Sequence, residues 1–232
     1  MSRRSFFCIS MPLLFVFFAA THREKDLRTN LHPNARIDSI YIELQKNDLS
    51  LPKKEVFGHA MAGFQSLRAE NRTTSTTISI IDFTLPSTDK RMWVIDLATA
   101  RVLHHSLVAH GRNSGELYAR EFSNKHDSYQ SSLGFYLTGK TYMGKHGLSL
   151  KLHGVEAGIN DHAEMRAIVI HGADYVDEQY AKKNGRLGRS WGCPAVPIKT
   201  HKEIIKMLPA GSCVFIYYPD QEYFSKSRYI GV

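Results

Sequence analysis

The residue types best suited to covalent chemistry in this chain are the imidazole of His171 and the thiol of Cys193, with twenty-one residues between them. Ile168-Val169-Ile170 leads into His171-Gly172, and Gly188-Arg189-Ser190-Trp191-Gly192 leads into Cys193-Pro194. A thiol at its ordinary pKa is mostly protonated at neutral pH. An adjacent imidazole that takes the proton converts it to the far more nucleophilic thiolate. The apolar run before His171 reads as a strand, so the imidazole is expected to emerge at a sheet edge, with Gly172 free to turn. Gly192 has no side chain, so the backbone N–H groups of Gly192 and Cys193 are expected to converge on one point. Two such donors form an oxyanion hole for a tetrahedral intermediate.

The other cysteines and histidines set the alternatives. Three cysteines, Cys8, Cys193 and Cys213, cannot build a disulfide framework. Cys213 lies in the apolar run Ser212 to Tyr218 and reads as a small core residue. Cys193, between Gly192 and Pro194, reads as a turn thiol open to substrate, although the two could pair in an oxidising compartment. The chain has 12 histidines, so a His and a Cys alone leave a hydrogen-bonded histidine and a packed turn thiol as alternatives. His104, His105, His110, His153 and His171 could also furnish a metal-dependent hydrolase. No His-Glu-x-x-His or Cys-x-x-Cys motif accompanies them, and no metal or cofactor is expected. A non-enzymatic binding module is the third reading.

The N-terminus has the layout of a secretory signal: Arg3-Arg4, an apolar stretch from Phe6 to Ala20, then charge at His22 to Lys25. Phe17 and Phe18 stand where cleavage prefers a small residue, so residues 1–21 are a signal peptide or an uncleaved anchor. Export to the periplasm or cell envelope is expected. The net charge of +8 suits anionic surroundings. Its basic residues are scattered rather than interleaved with aromatics, which argues against a nucleic-acid partner.

These residues need a scaffold. Ile37, Ile40, Tyr41 and Leu44, then Val56, Ala60, Phe64 and Leu67, fall at helical spacing and predict two short helices in a helical region over 22–76, packed as a cap. From Thr77 the pattern changes to short β-type runs: 78–83, 91–96, 101–110, 134–138, 148–153, 167–171 and 212–218. Thr200-His201-Lys202-Glu203 has capping-box spacing and opens a helix that Pro209-Ala210-Gly211 stops. Residues 77–232 are thus expected to form a mostly β catalytic domain, a sandwich or open barrel with peripheral helices.

The order His-Gly, then a gap, then Ser-x-Gly-Cys resembles the signature of the murein L,D-transpeptidase family, the YkuD-like enzymes that remodel peptidoglycan. Val108 to Gly115, Ser132 to Tyr136 and His153-Gly154 resemble its upstream segments, so the similarity runs from about Ile78 to Tyr218, with the segment Arg36 to Glu70 outside it. The resemblance implies an L,D-transpeptidase-like fold with Cys193 as the nucleophile, His171 as the base and the Gly172 carbonyl orienting the imidazole. It also implies that Ser190, Trp191 and Gly192 shape the oxyanion site. Two departures stand out, Trp191 and Ala195 in the places of a second His and an Asn; the gap between His171 and Ser190 is also slightly long.

The implied partners are peptidoglycan stem peptides, with carbapenem β-lactams as inhibitors. The implied reaction is acyl transfer through a thioester, resolved by an amine to give a crosslink or by water in an L,D-carboxypeptidase. Arg112, Lys140, Lys145 and Arg189 are candidate partners for peptide carboxylates, and His153 is a candidate residue near the cleft.

Overall fold

The computed structural model describes residues 33–46 and 50–230. Cys8 and the signal-like segment lie outside them. Helix α1 spans Pro33–Gln45, and the chain from Ile40 onward forms one compact unit. Within that unit Tyr41 donates to the Pro52 carbonyl at 2.9 Å and meets the Phe57 ring at 5.2 Å. Helix α2 (Lys54–Ala69) buries Val56, Phe57, Ala60, Met61, Phe64 and Leu67, which recur at helical spacing on one face. That face packs on two central strands, β1 (Thr77–Asp82) and β8 (Cys213–Tyr217).

The intervening strands are β2 (Met92–Asp96), β3 (Arg101–Ser106), β4 (Gly134–Gly144), β5 (Gly147–Gly154), β6 (Val169–Ala173) and β7 (Ala195–Pro197). They form one eight-stranded sheet in the order β3-β2-β1-β8-β4-β5-β6-β7. Pairing is antiparallel except for β1 with β8 and β6 with β7. Every residue of β8 is buried, as its unbroken apolar run requires. The two end strands nearly meet. Leaving β3, the chain crosses to β7, where the Ala109 N–H donates to the Ala195 carbonyl at 2.8 Å, and Gly111 bridges Ser190. The result is a nearly closed, mostly β fold with few helices.

Several local expectations change. His171 does not emerge at a sheet edge: β7 pairs beyond β6, so the imidazole sits one strand in, and the short β7 carried no periodic signal of its own. Helix α4 (His201–Met207) is present, but Thr200 makes no side-chain cap. Its backbone is already helical rather than extended, so the Glu203 N–H bonds the Thr200 carbonyl instead, and the Thr200 hydroxyl is buried without a partner. Two further helices, α3 (Glu178–Asn184) and α5 (Gln221–Lys226), are capped by Asp177 and Asp220. Strand β4 extends six residues past Thr138, so β4 and β5 form a long hairpin whose turn is Lys145-His146.

Candidate active site

The parallel pairing of β6 and β7 sets the site. It places His171 opposite Ala195, two residues after Cys193. The thiol and the imidazole therefore line one cavity of about 460 Å³ together with Arg166, His146 and Tyr175.

His171 is 4% exposed. Its Nδ1 lies 3.0 Å from the Gly172 carbonyl oxygen, which can only accept, so Nδ1 carries the proton and Nε2 of the neutral ring is free to accept one. Burial holds its pKa below the ordinary histidine value. The Gly172 bond opposes that, while the nearby His146 and His201 add to it. The His146 ring stacks on His171 at 4.5 Å between centroids, carried there by the hairpin turn.

Cys193 is partly buried, and its Sγ donates to the Ala167 carbonyl at 3.6 Å rather than to His171. Burial pushes the thiol pKa up. The backbone N–H groups of Val169 and of Cys193 itself, and the Arg166 charge, pull it down. Cys213 is buried and unpaired with Cys193.

The turn before the thiol is held by hydroxyls. Ser190 Oγ accepts the Gly192 N–H at 3.1 Å and donates to the Cys193 carbonyl at 2.6 Å, while Ser131 Oγ donates to the Gly192 carbonyl at 3.1 Å. The Gly192 N–H, expected to be an oxyanion donor, is thus engaged by a serine side chain close in sequence. Trp191 lines the cavity but is 67% exposed, leaning on Tyr129 at 5.5 Å.

The candidate cations separate. Arg189 lines the cavity, yet its Nη1 is held by Glu116 Oε1 at 2.5 Å and by the carbonyls of Arg112 and Gly115. Arg112 lies over the Tyr129 ring at 4.3 Å, and His153 faces Glu164 at 3.3 Å; the cavity lining includes neither. Lys140 borders a different hollow beside Pro209, whereas Lys145 lines the Cys193 cavity. Sequence reasoning missed Arg166 and the placement of His146. Nothing in the primary sequence marks Arg166, while the turn residues Gly144-Lys145-His146-Gly147 could have marked a hairpin tip. Among the described residues no group of three or more His, Cys, Asp or Glu is placed to hold a metal ion.

The family model for the L,D-transpeptidase catalytic domain matches residues 49–217, and the chain belongs to that family. The match takes in α2, which the motif resemblance left outside. Solved structures similar to this chain include an L,D-transpeptidase from Mycobacterium smegmatis, at 10% identity and a TM-score of 0.39, covering 62% of this chain and 59% of that one. The helical cell shape determining protein Pgp2 (K307A mutant) from Campylobacter jejuni has 14% identity and a TM-score of 0.43, covering 74% of this chain and 58% of that one. L,D-transpeptidase 3 from Mycobacterium tuberculosis, in complex with a faropenem-derived adduct, has 9% identity and a TM-score of 0.40, covering 62% and 60%. This chain spans less than two thirds of the length of each. No curated protein matches it.

Proposed function

We propose that this transpeptidase-family protein is a cysteine-dependent acyltransferase that crosslinks stem peptides of peptidoglycan at the cell envelope, after export. One observation carries the reading: a neutral imidazole, its Nδ1–H fixed on the Gly172 carbonyl, shares a cavity with the Cys193 thiol. The Sγ proton passes to His171 Nε2, and the thiolate attacks the carbonyl of the L-centre that precedes a terminal D-Ala. The Cys193 N–H, beside its own sulfur, is the donor left for the oxyanion once Ser190 has taken the Gly192 N–H. Collapse of the tetrahedral intermediate breaks the amide bond. His171 gives its proton to the departing D-Ala amine, and a thioester remains on Cys193. An amine from a second stem then attacks the thioester, yields its proton to His171 and releases the thiolate with a new amide formed.

A strained β-lactam amide offers the same carbonyl to the same sulfur, so a carbapenem is a probe of the first half-reaction. Incubation with a stem tetrapeptide or a carbapenem is expected to add one acyl mass to the protein and none to C193A. Equal labelling of C193A, or no adduct on either, would refute the mechanism. With an amine acceptor present the expected product is the crosslinked dimer. Tripeptide alone would instead identify a carboxypeptidase.

A further inference from the structure

Arg166 stands in the turn before β6 and makes four hydrogen bonds. Nη1 donates to the Ser123 carbonyl at 2.7 Å and to Ser132 Oγ at 2.5 Å, and Nη2 to the Gln130 carbonyl at 2.5 Å and to Ser128 Oγ at 3.2 Å. Every acceptor is neutral, and among the described residues no carboxylate pairs with it. The guanidinium nevertheless sits half-buried against the Cys193 turn, with Nη2 3.2 Å from where a Cβ on Gly192 would lie. A half-buried cation without an anion is unfavourable, and neutral hydrogen bonds alone do not call for a charge at this place. Two neighbouring groups could supply the anion. Tyr136 is fully buried and spends its O–H on the Ser132 carbonyl, and burial pushes its pKa up, so it stays neutral. The other is the Cys193 thiol, which lines the same cavity as Arg166.

We propose that Arg166 is the counter-ion of the Cys193 thiolate, a positioning residue that, with the Val169 N–H, holds the sulfur anion while His171 holds the proton. The proposal rests on Cys193 being the nucleophile. Stabilising the anion and receiving its proton then fall to different groups. The other titratable or charged groups around the sulfur are His171 on β6, Tyr175 after it, Tyr142 on β4, Lys145 and His146 on the hairpin tip, and Arg189, which Glu116 neutralises.

The test is the pH profile of Cys193 alkylation by iodoacetamide, followed by the mass of the Cys193 peptide so that Cys8 and Cys213 do not contribute. R166Q is expected to move the midpoint up by about one pH unit, which slows alkylation about tenfold below it. R166K keeps the charge and loses most of the fork, and is expected to keep a midpoint near that of the unaltered protein. An unmoved midpoint in R166Q, or an equal shift in R166K, would mean that Arg166 only fastens the 123–132 loop, and the proposal falls. If neither variant folds, C193D and C193N decide at pH 8.5, where His171 is neutral. C193D is expected to melt higher through its pairing with Arg166, and an equal or lower melting point overturns the proposal. Failure of substrate acylation would sink the transferase reading without altering these titrations, so the two outcomes are separable.

Discussion

Gly192 is the position where backbone conformation and catalysis are most tightly joined, and G192A tests that joint. Its φ of +120° is one that L side chains rarely adopt, and forcing it costs about 1–3 kcal/mol. A methyl group there would also lie 2.7 Å from the Gln130 carbonyl oxygen, a backbone atom that cannot rotate away, and 3.2 Å from Arg166 Nη2. Taking about 3 kcal/mol for both effects, at about 2–4 °C per kcal/mol for a domain of this size, the melting temperature should fall by about 6–12 °C. The turn has to shift to relieve the contact, and the shift carries Cys193 with it. A displacement of about 1 Å at a nucleophile lowers rates on the order of 100-fold. Thermal unfolding and the rate of carbapenem acylation, followed by intact mass, read the two effects separately. G185A is the control: Gly185 also has positive φ, at 71°, at the end of α3, but its missing Cβ faces open space. It should lose about 1 kcal/mol and keep its acylation rate. If G192A melted within about 1 °C of the unaltered protein and acylated at the same rate, the reasoning would be wrong.

Three further outcomes are expected. His171 accepts a proton only when neutral, and its folded pKa lies below the ordinary value of 6.5, so the acid limb of acylation should fall below that pH; H146A removes the stacked ring and should move the limb upward. Glu156 is buried and accepts from the Phe135 N–H, Tyr223 and Ser227, and burial raises its pKa. A raised folded pKa gives stability present below the unfolded value of about 4.3 and lost as pH rises through the folded one. Urea unfolding of E156Q should therefore show less loss of stability between acid and neutral pH, and an unchanged slope would refute the assignment. S190A removes both hydrogen bonds of the Ser190 hydroxyl across the turn. It should cost about 1–3 kcal/mol in chemical denaturation and slow acylation; an undiminished rate would show that the turn holds itself.

The sheet was legible wherever a strand was long enough to carry a pattern. The buried run of β8 and the separate runs of β2 and β3 could be read directly, and the amphipathic spacing of α2 survived in its buried face. What escaped was fixed by tertiary partners. The three-residue β7 exists because Ala109 and His171 flank it, and neither pairing has a local sequence signal. Thr200 fitted a capping box by spacing but not by backbone angle. In the site, residue types named the thiol and the imidazole. The partner of the Gly192 N–H and the position of Arg166 depend on a serine-rich loop that folds back from 123–132.

The two departures from the commoner family pattern have different physical meanings in this fold. Ala195 is fully buried in an apolar cluster with Leu107, Ala109, Ala173, Val176, Ala181 and Leu187. An amide side chain would have to find polar partners there or cost about 1–3 kcal/mol. That position therefore serves packing, and its backbone carbonyl joins the two ends of the sheet through Ala109. Trp191 is the opposite case. Its indole stands in solvent at the rim, against Tyr129, while the ring stacked on His171 comes from His146 on the β4–β5 hairpin. A second imidazole is thus present at this site although the motif lacks one. It arrives from a hairpin tip distant in sequence, so its orientation depends on how that hairpin lies over the cavity.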